Sequence, residues 1–295
     1  MKLVWSNAYE VDLFGHVFPT EKYRLVRSAL LDQGLADEAE FAEAPRAAYD
    51  DLVLVHTPEY LDDLVNLRLS PRTMRSELAL TREIADAYVT AAGGTILTAR
   101  LALDEGISVH IGGGFHHAYP DHAEGFCYIN DIAVALGRLK ADGLAERAAV
   151  IDCDLHQGNG TAFVFADDPD VFTFSIHQEN NYPPKERSDR DVGLPDGADD
   201  RLYLNRLNII GSLLDDHKPR IVVYVAGADP YAEDQLGGLA LSKPGLLKRD
   251  QLVFSECTRR DIPVCVVLAG GYAYEVSDTV DIHINTIIAA KQALG

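Results

Sequence analysis

Short apolar runs alternate along this chain with longer segments whose apolar residues recur at helical spacing, and that alternation constrains the fold more than any motif. Ala148-Ala149-Val150-Ile151 has no polar residue at alternate positions, so it reads as a strand covered on both faces. Strands of that kind belong to parallel sheets sandwiched between helices. The patterning predicts strands at Lys2–Trp5, Leu52–His56, Ile107–Gly112, Ala148–Asp154, Val171–His177, Ile221–Ala226 and Val264–Leu268. Helices are expected over Glu21–Leu31, Asp131–Leu139, Ala162–Ala166, Leu202–Leu214, Gly245–Arg259 and Glu275–Leu294. Thr57-Pro58-Glu59 supplies a cap, a first-turn proline and an acid for a further helix through Leu67. A long helix spans Glu77 to Leu103, where Gly93-Gly94 either weakens it or lets a neighbour pack closely. Leu69–Arg75 and Glu179–Gly197 read as loops. With no repeat, linker or composition break, residues 1–295 form one α/β domain with a mostly parallel sheet and helices on both faces.

The 295 residues include 26 basic and 46 acidic side chains, a net charge of −20. Phosphate is repelled by such a surface, which argues against nucleic-acid or anionic-membrane partners. The N-terminus has no signal-like apolar core, and no apolar stretch reaches bilayer length. Cys127, Cys153, Cys257 and Cys265 form no CxxC pair or disulfide framework, so a cytoplasmic location is expected.

Ligands of parallel sheets bind beyond the carboxyl ends of the strands. Those ends carry GGGFHH with His116 and His117, DCDLHQGN with Asp152, Asp154, His156 and Asn159, and SIH with Ser175 and His177. They also carry GAD with Asp229 and AGGY with Tyr272. Any one of these has a bland explanation, such as a polar turn or a satisfied core tyrosine. Five on one rim do not. Persisting strand geometry would turn Asp152, Asp154 and His156 to one side. Asp154, His156 and Asp229 are three donors suited to Zn²⁺ or a similar ion, with a coordination position left for water. His116 and His117 are candidates for general base and acid, with Asp152 and Asn159 as orienting partners. Tyr272, on a flexible Gly-Gly turn, is a candidate oxyanion donor. Together these parts describe metal-assisted hydrolysis of an amide.

The chain resembles the histone deacetylase family, zinc-dependent lysine deacylases of the arginase–deacetylase fold. The resemblance rests on GGGFHHA (112–118), GFCYINDIAVA (125–135), DCDLHQGNGT (152–161), FSIH (174–177), GAD (227–229) and LAGGY (268–272). The compact length and HQGNGT look like the class IV-like and bacterial branch. The resemblance implies a sheet of about eight strands and zinc, or Fe²⁺, at Asp154, His156 and Asp229. It further implies that His116 and His117 act on the metal-bound water and the leaving amine, with Asp152 paired to His116 and Asn159 to His117. Asn159 stands where class I members carry aspartate. Tyr272 would polarise the substrate carbonyl. Phe126 and Tyr182 would form opposite walls of the acyl-lysine tunnel, Gly125 and Gly270 would also bind substrate, and Asp152, Asp154, His156, Ser175 and Ile176 would hold a structural potassium ion. The rim acid of some members has no clear match in Leu69–Leu78.

The substrate implied is an Nε-acyl-lysine peptide or protein, carrying an acetyl or longer group. An acetylpolyamine amidohydrolase acting on a small acylated amine is the nearest alternative. A di-manganese ureohydrolase would need more aspartates than GADPY supplies, and a non-catalytic acyl-lysine reader would not need both histidines and Tyr272.

Overall fold

The computed structural model describes all residues 1–295. Its centre is one eight-stranded sheet: β1 (Leu3–Trp5), β2 (Phe41–Glu43), β3 (Ile107–His110), β4 (Ala148–Asp152), β5 (Val171–Gln178), β6 (Arg190–Leu194), β7 (Ile221–Val225) and β8 (Val264–Val267). Every pairing is parallel, in the order β2-β1-β3-β8-β7-β4-β5-β6. The helices are α1 (Lys22–Asp32), α2 (Tyr49–Leu52), α3 (Pro58–Val65), α4 (Arg82–Glu105), α5 (Asp131–Ala141), α6 (Asn159–Phe165), α7 (Asp200–Leu207), α8 (Ile210–His217), α9 (Lys243–Thr258) and α10 (Val276–Ala293).

Strand alternation divides the core between the two faces. Ala149 and Ile151 of β4, Val222 and Tyr224 of β7, and Val264 and Val266 of β8 pack in one cluster with residues of α1, α9 and α10. The intervening Ala148, Val150, Val223, Val225, Cys265 and Val267 pack on the other face with Ala99 and Ala102 of α4 and Ile132 and Leu136 of α5. Both faces are covered, which is why these strands read as unbroken apolar runs.

Three expectations need correction. Leu52–His56 is not a strand: it is the end of α2 followed by turns in which His56 N donates to Leu52 O. A run this short fits either period, and Val53 and Leu54 stay exposed. The missed strand, β2, lies at the sheet edge and pairs only with β1. At the opposite edge β6 interrupts the supposed loop Glu179–Gly197, pairing Ile176 with Val192. Edge strands need little apolar surface, so RDVGL gave no period to read. Finally, Leu202–Leu214 is two helices, separated at Asn208 and Ile209.

Thr81 caps α4 by accepting from Ile84 N, and Gly106 ends it with φ +87°. Gly93 within it serves close packing: a Cβ there would lie 2.0 Å from Pro45 O and 2.6 Å from Ala47 N. Alanine is about 1 kcal/mol the better helix former, yet Gly93→Ala is expected to destabilise the protein by about 1–3 kcal/mol through overpacking. Urea denaturation checks the sign, and a stabilised variant would refute the packing account.

Candidate active site

The five motif-bearing strand ends belong to β3, β8, β7, β4 and β5, which are consecutive in the sheet. Parallel pairing brings all five ends to one rim. Beyond β4 the chain leaves strand geometry at Asp152, so alternation is not what gathers the next side chains. Instead Asp154 N donates to Asp152 Oδ1 (3.1 Å) and His156 N donates to Asp154 Oδ1 (3.0 Å). Each acid thus turns the backbone two residues on.

Asp154, His156 and Asp229 are buried, and one donor atom from each lies within 4.8 Å of the others. Asp229 Oδ1 accepts from Leu155 N (2.9 Å), joining β7 to the β4 loop. Its Oδ2 is buried without a hydrogen bond, 3.2 Å from His156 Nδ1. Burial and the Asp154 carboxylate push the Asp229 carboxyl upward. Two buried carboxylates, one with an unpartnered oxygen, plus an imidazole form a donor set that fits a divalent cation. Gly270 N donates to Asp154 Oδ2 (2.9 Å), and a Cβ on Gly270 would lie 2.2 Å from Asp229 Oδ2. Gly270, expected to contact substrate, packs against Asp154 and Asp229.

His116 and His117 follow β3 on a loop anchored by Asp131, whose carboxylate accepts from Gly114 N (3.0 Å) and Phe115 N (2.7 Å). His116 Nδ1 donates to Asp152 Oδ2 (2.7 Å) and His117 Nδ1 donates to Asn159 Oδ1 (2.7 Å), while the two Nε2 atoms are 3.1 Å apart. Their environments push them in opposite directions. Burial pulls His116 down, but Asp152 and Asp154 outweigh it and hold the imidazole up at about 9. Burial, with His116 and His156 alongside, drives His117 well below the ordinary range.

A cleft of about 280 Å³ opens above these groups, lined by His117, His156, Gly125, Phe126, Tyr182 and Tyr272. Phe126 sits at φ +64°, with its carbonyl accepting from the Tyr88 hydroxyl. Tyr182, opposite, donates its hydroxyl to Glu124 Oε1 (2.8 Å), and Glu124 pairs with Arg75 (2.6 Å). A side chain without the hydroxyl could not make that tie. Tyr272 is held, not flexible: its N–H donates to Asp234 Oδ2 (2.7 Å) and its carbonyl accepts from Gln235 N (3.1 Å) and Gln235 Nε2 (2.9 Å). Burial, reinforced by Asp229 and Asp154, keeps its hydroxyl protonated. Ser175 stands in register with Asp152, and its Oγ lies 2.9 Å from His177 Nδ1; Ile176 follows it on β5.

Sequence reasoning missed Glu77, which lines the cleft with φ +66°. It also missed Lys22, fully buried, whose ammonium donates to Ala269 O (2.7 Å) and lies 5.6 Å from the Tyr272 ring centroid. Burial lowers Lys22 to about 8 against the pull of Asp229 and Asp154. Fully buried Arg249 was missed as well; its Nη1 donates to Cys153 O (3.2 Å) and Gly227 O (2.6 Å), tying together the two ligand-bearing strand ends.

Residues 16–287 match the histone deacetylase domain. The chain belongs to the histone deacetylase family. Among relatives of this deacetylase-family chain, an uncharacterized protein of Picosynechococcus sp. is 43% identical over 271 residues, covering 91% of this chain and 90% of that one. The histone deacetylase-like amidohydrolase of Pseudomonas aeruginosa is 29% identical over 278 residues, covering 88% and 73%. The crystal structure of the HDA15 HD domain superposes with a TM-score of 0.81 at 22% identity, covering 100% of this chain and 94% of that one. No helix is long and apolar enough to cross a membrane.

Proposed function

We propose that this histone deacetylase-family chain is a metal-dependent amidohydrolase that removes an acetyl or longer acyl group from the Nε of lysine. One observation carries the reading: the Asp154–His156–Asp229 donor set meets, at His156, a cleft with aromatic walls, beside two histidines whose surroundings push them in opposite directions. Opposed pairs of this kind are how one site supplies both a base and an acid.

Asp154, His156 and Asp229 would hold Zn²⁺, or Fe²⁺, and the bound metal supplies Lewis-acid activation of water and carbonyl. The chain's own residues do the rest. Phe126 and Tyr182 flank the lysine methylenes and exclude water from them. Neutral His117 accepts the proton of the attacking water at Nε2. The water oxygen bonds to the carbonyl carbon, the C–N bond breaks, and His116, kept protonated by Asp152, gives its proton to the departing amine. The Tyr272 hydroxyl donates to the carbonyl oxygen as charge develops there. Family resemblance extends the reading to a potassium ion among Asp152, Asp154, His156, Ser175 and Ile176, and to a cytoplasmic protein acting on acylated peptides.

A panel varying acyl chain and amine carrier tests this. Acyl-lysine peptides are expected to exceed acetylated polyamines in kcat/KM by more than about tenfold. The reverse order would install the polyamine amidohydrolase in its place, and no hydrolysis of either class would sink both.

A further inference from the structure

Asparagine is a poor guide for a catalytic histidine, because its amide oxygen and nitrogen can exchange places at almost no steric cost. With Oδ1 toward His117, the imidazole must carry its proton on Nδ1 and Nε2 keeps a lone pair. With the amide reversed, Nδ2 donates to Nδ1, the proton moves to Nε2, and the ring cannot accept a proton there. Something must decide between the two.

Asn159 Nδ2 lies 3.1 Å from the Tyr119 hydroxyl, which lies 3.2 Å from Glu186 Oε1. A phenol has one hydrogen to give, and a carboxylate only accepts. The Tyr119 hydrogen therefore goes to Glu186, and the phenol oxygen is left to accept from Asn159. We propose that Glu186, acting through Tyr119, is a positioning residue that fixes the Asn159 amide and thereby the His117 tautomer. The chain of donors runs head to tail from His117 Nδ1 to Asn159 Oδ1, from Asn159 Nδ2 to the Tyr119 oxygen, and from the Tyr119 hydroxyl to Glu186.

Each link is held from outside the relay. The Tyr119 ring stacks on His122, with centroids 4.5 Å apart and planes 12° apart, and meets Phe163 at 5.0 Å. Its carbonyl lies 3.0 Å from His56 Nδ1. The Glu186 backbone is clamped by the Gln157 side chain, which accepts from Glu186 N (2.8 Å) and donates to Glu186 O (2.6 Å). Gln157 and Asn159 both belong to the HQGN segment, so the carboxylate at the far end of the relay is referenced to the loop that carries the amide. An aspartate at 159 would need none of this, having no amide to reverse. The relay supplies the direction that the neutral side chain lacks.

This inference rests on the reading of His117 as the base, and a spectroscopic test separates the two. Long-range proton–nitrogen correlation spectra of the zinc-loaded full-length protein, labelled with ¹⁵N-histidine, report which ring nitrogen of His117 bears the proton. The Nδ1–H form is expected in the parent and a shift toward Nε2–H in Tyr119→Phe, with Glu186→Ala moving the same way. kcat on an acyl-lysine peptide should fall about 10–100-fold in Tyr119→Phe, with metal content and KM little changed. Placed in an Asn159→Asp background, Tyr119→Phe should cost almost nothing. Retention of the Nδ1–H form in Tyr119→Phe would overturn the proposal, as would an equal penalty in both backgrounds. A tautomer that responds to Tyr119→Phe in a protein hydrolysing no acyl amide would uphold the relay and remove the function assigned to the base.

Discussion

Tyr272→Phe is expected to lower kcat by about 10²–10³-fold with little change in metal content, KM or melting temperature. The hydroxyl is the only part removed, and the ring's place does not depend on it. Tyr272 is fixed through its backbone by Asp234 and Gln235, and its ring packs 6.0 Å from both Phe126 and Phe18 by centroid. Phenylalanine keeps those contacts. The hydroxyl is a donor because burial and the nearby Asp229 and Asp154 keep its proton on, and a donor aimed at developing charge matters most in the transition state. Steady-state kinetics, metal analysis and thermal melting on one preparation separate this from a folding defect. Turnover within a few fold of the parent enzyme would remove Tyr272 from the reaction.

The centre of the fold was readable because the physics there is local. Strands β3, β4, β5, β7 and β8 are buried on both faces, so their apolar runs announce themselves, and their ends carry the motifs. The sheet edges were not readable: Phe41-Ala42-Glu43 and Arg190–Leu194 owe their strand state to neighbours rather than to their own pattern. The Asp154–His156–Asp229 group and the tandem histidines could be singled out because their side chains are unusual at strand ends. Lys22 and Arg249 carried a weaker signal that periodicity contains. Lys22, Val26 and Leu30 share one face of α1, and Leu246, Arg249 and Val253 share one face of α9. A cation in the apolar register of a helix must be buried with a partner, and both cations end beside the site. Glu77 and Glu186 had no such signal. One lies just before a helix and the other in a loop, and only tertiary structure brings them to the cleft and to Tyr119.

Asp229→Asn is expected to abolish turnover and stoichiometric metal binding while leaving the fold intact, because the amide is isosteric and its oxygen can still accept from Leu155 N. The substitution replaces Oδ2, which is buried without a hydrogen bond and is the oxygen proposed to face the cation. Metal binding to the native state alone adds stability by mass action, about 2.7 kcal/mol at a hundred times the dissociation constant. Zinc should therefore raise the melting temperature of the parent protein, and a chelator should lower it. The same additions should leave Asp229→Asn almost unmoved. The metal-free variant should also melt no lower than the metal-free parent, since it no longer buries Asp154 and Asp229 as two acids in one site. One divalent ion per chain by elemental analysis is the expected count, because only Asp154, His156 and Asp229 form such a donor group. Two tightly bound divalent ions would favour the binuclear ureohydrolase chemistry instead, and a zinc-dependent melting shift that survives in Asp229→Asn would place the metal elsewhere.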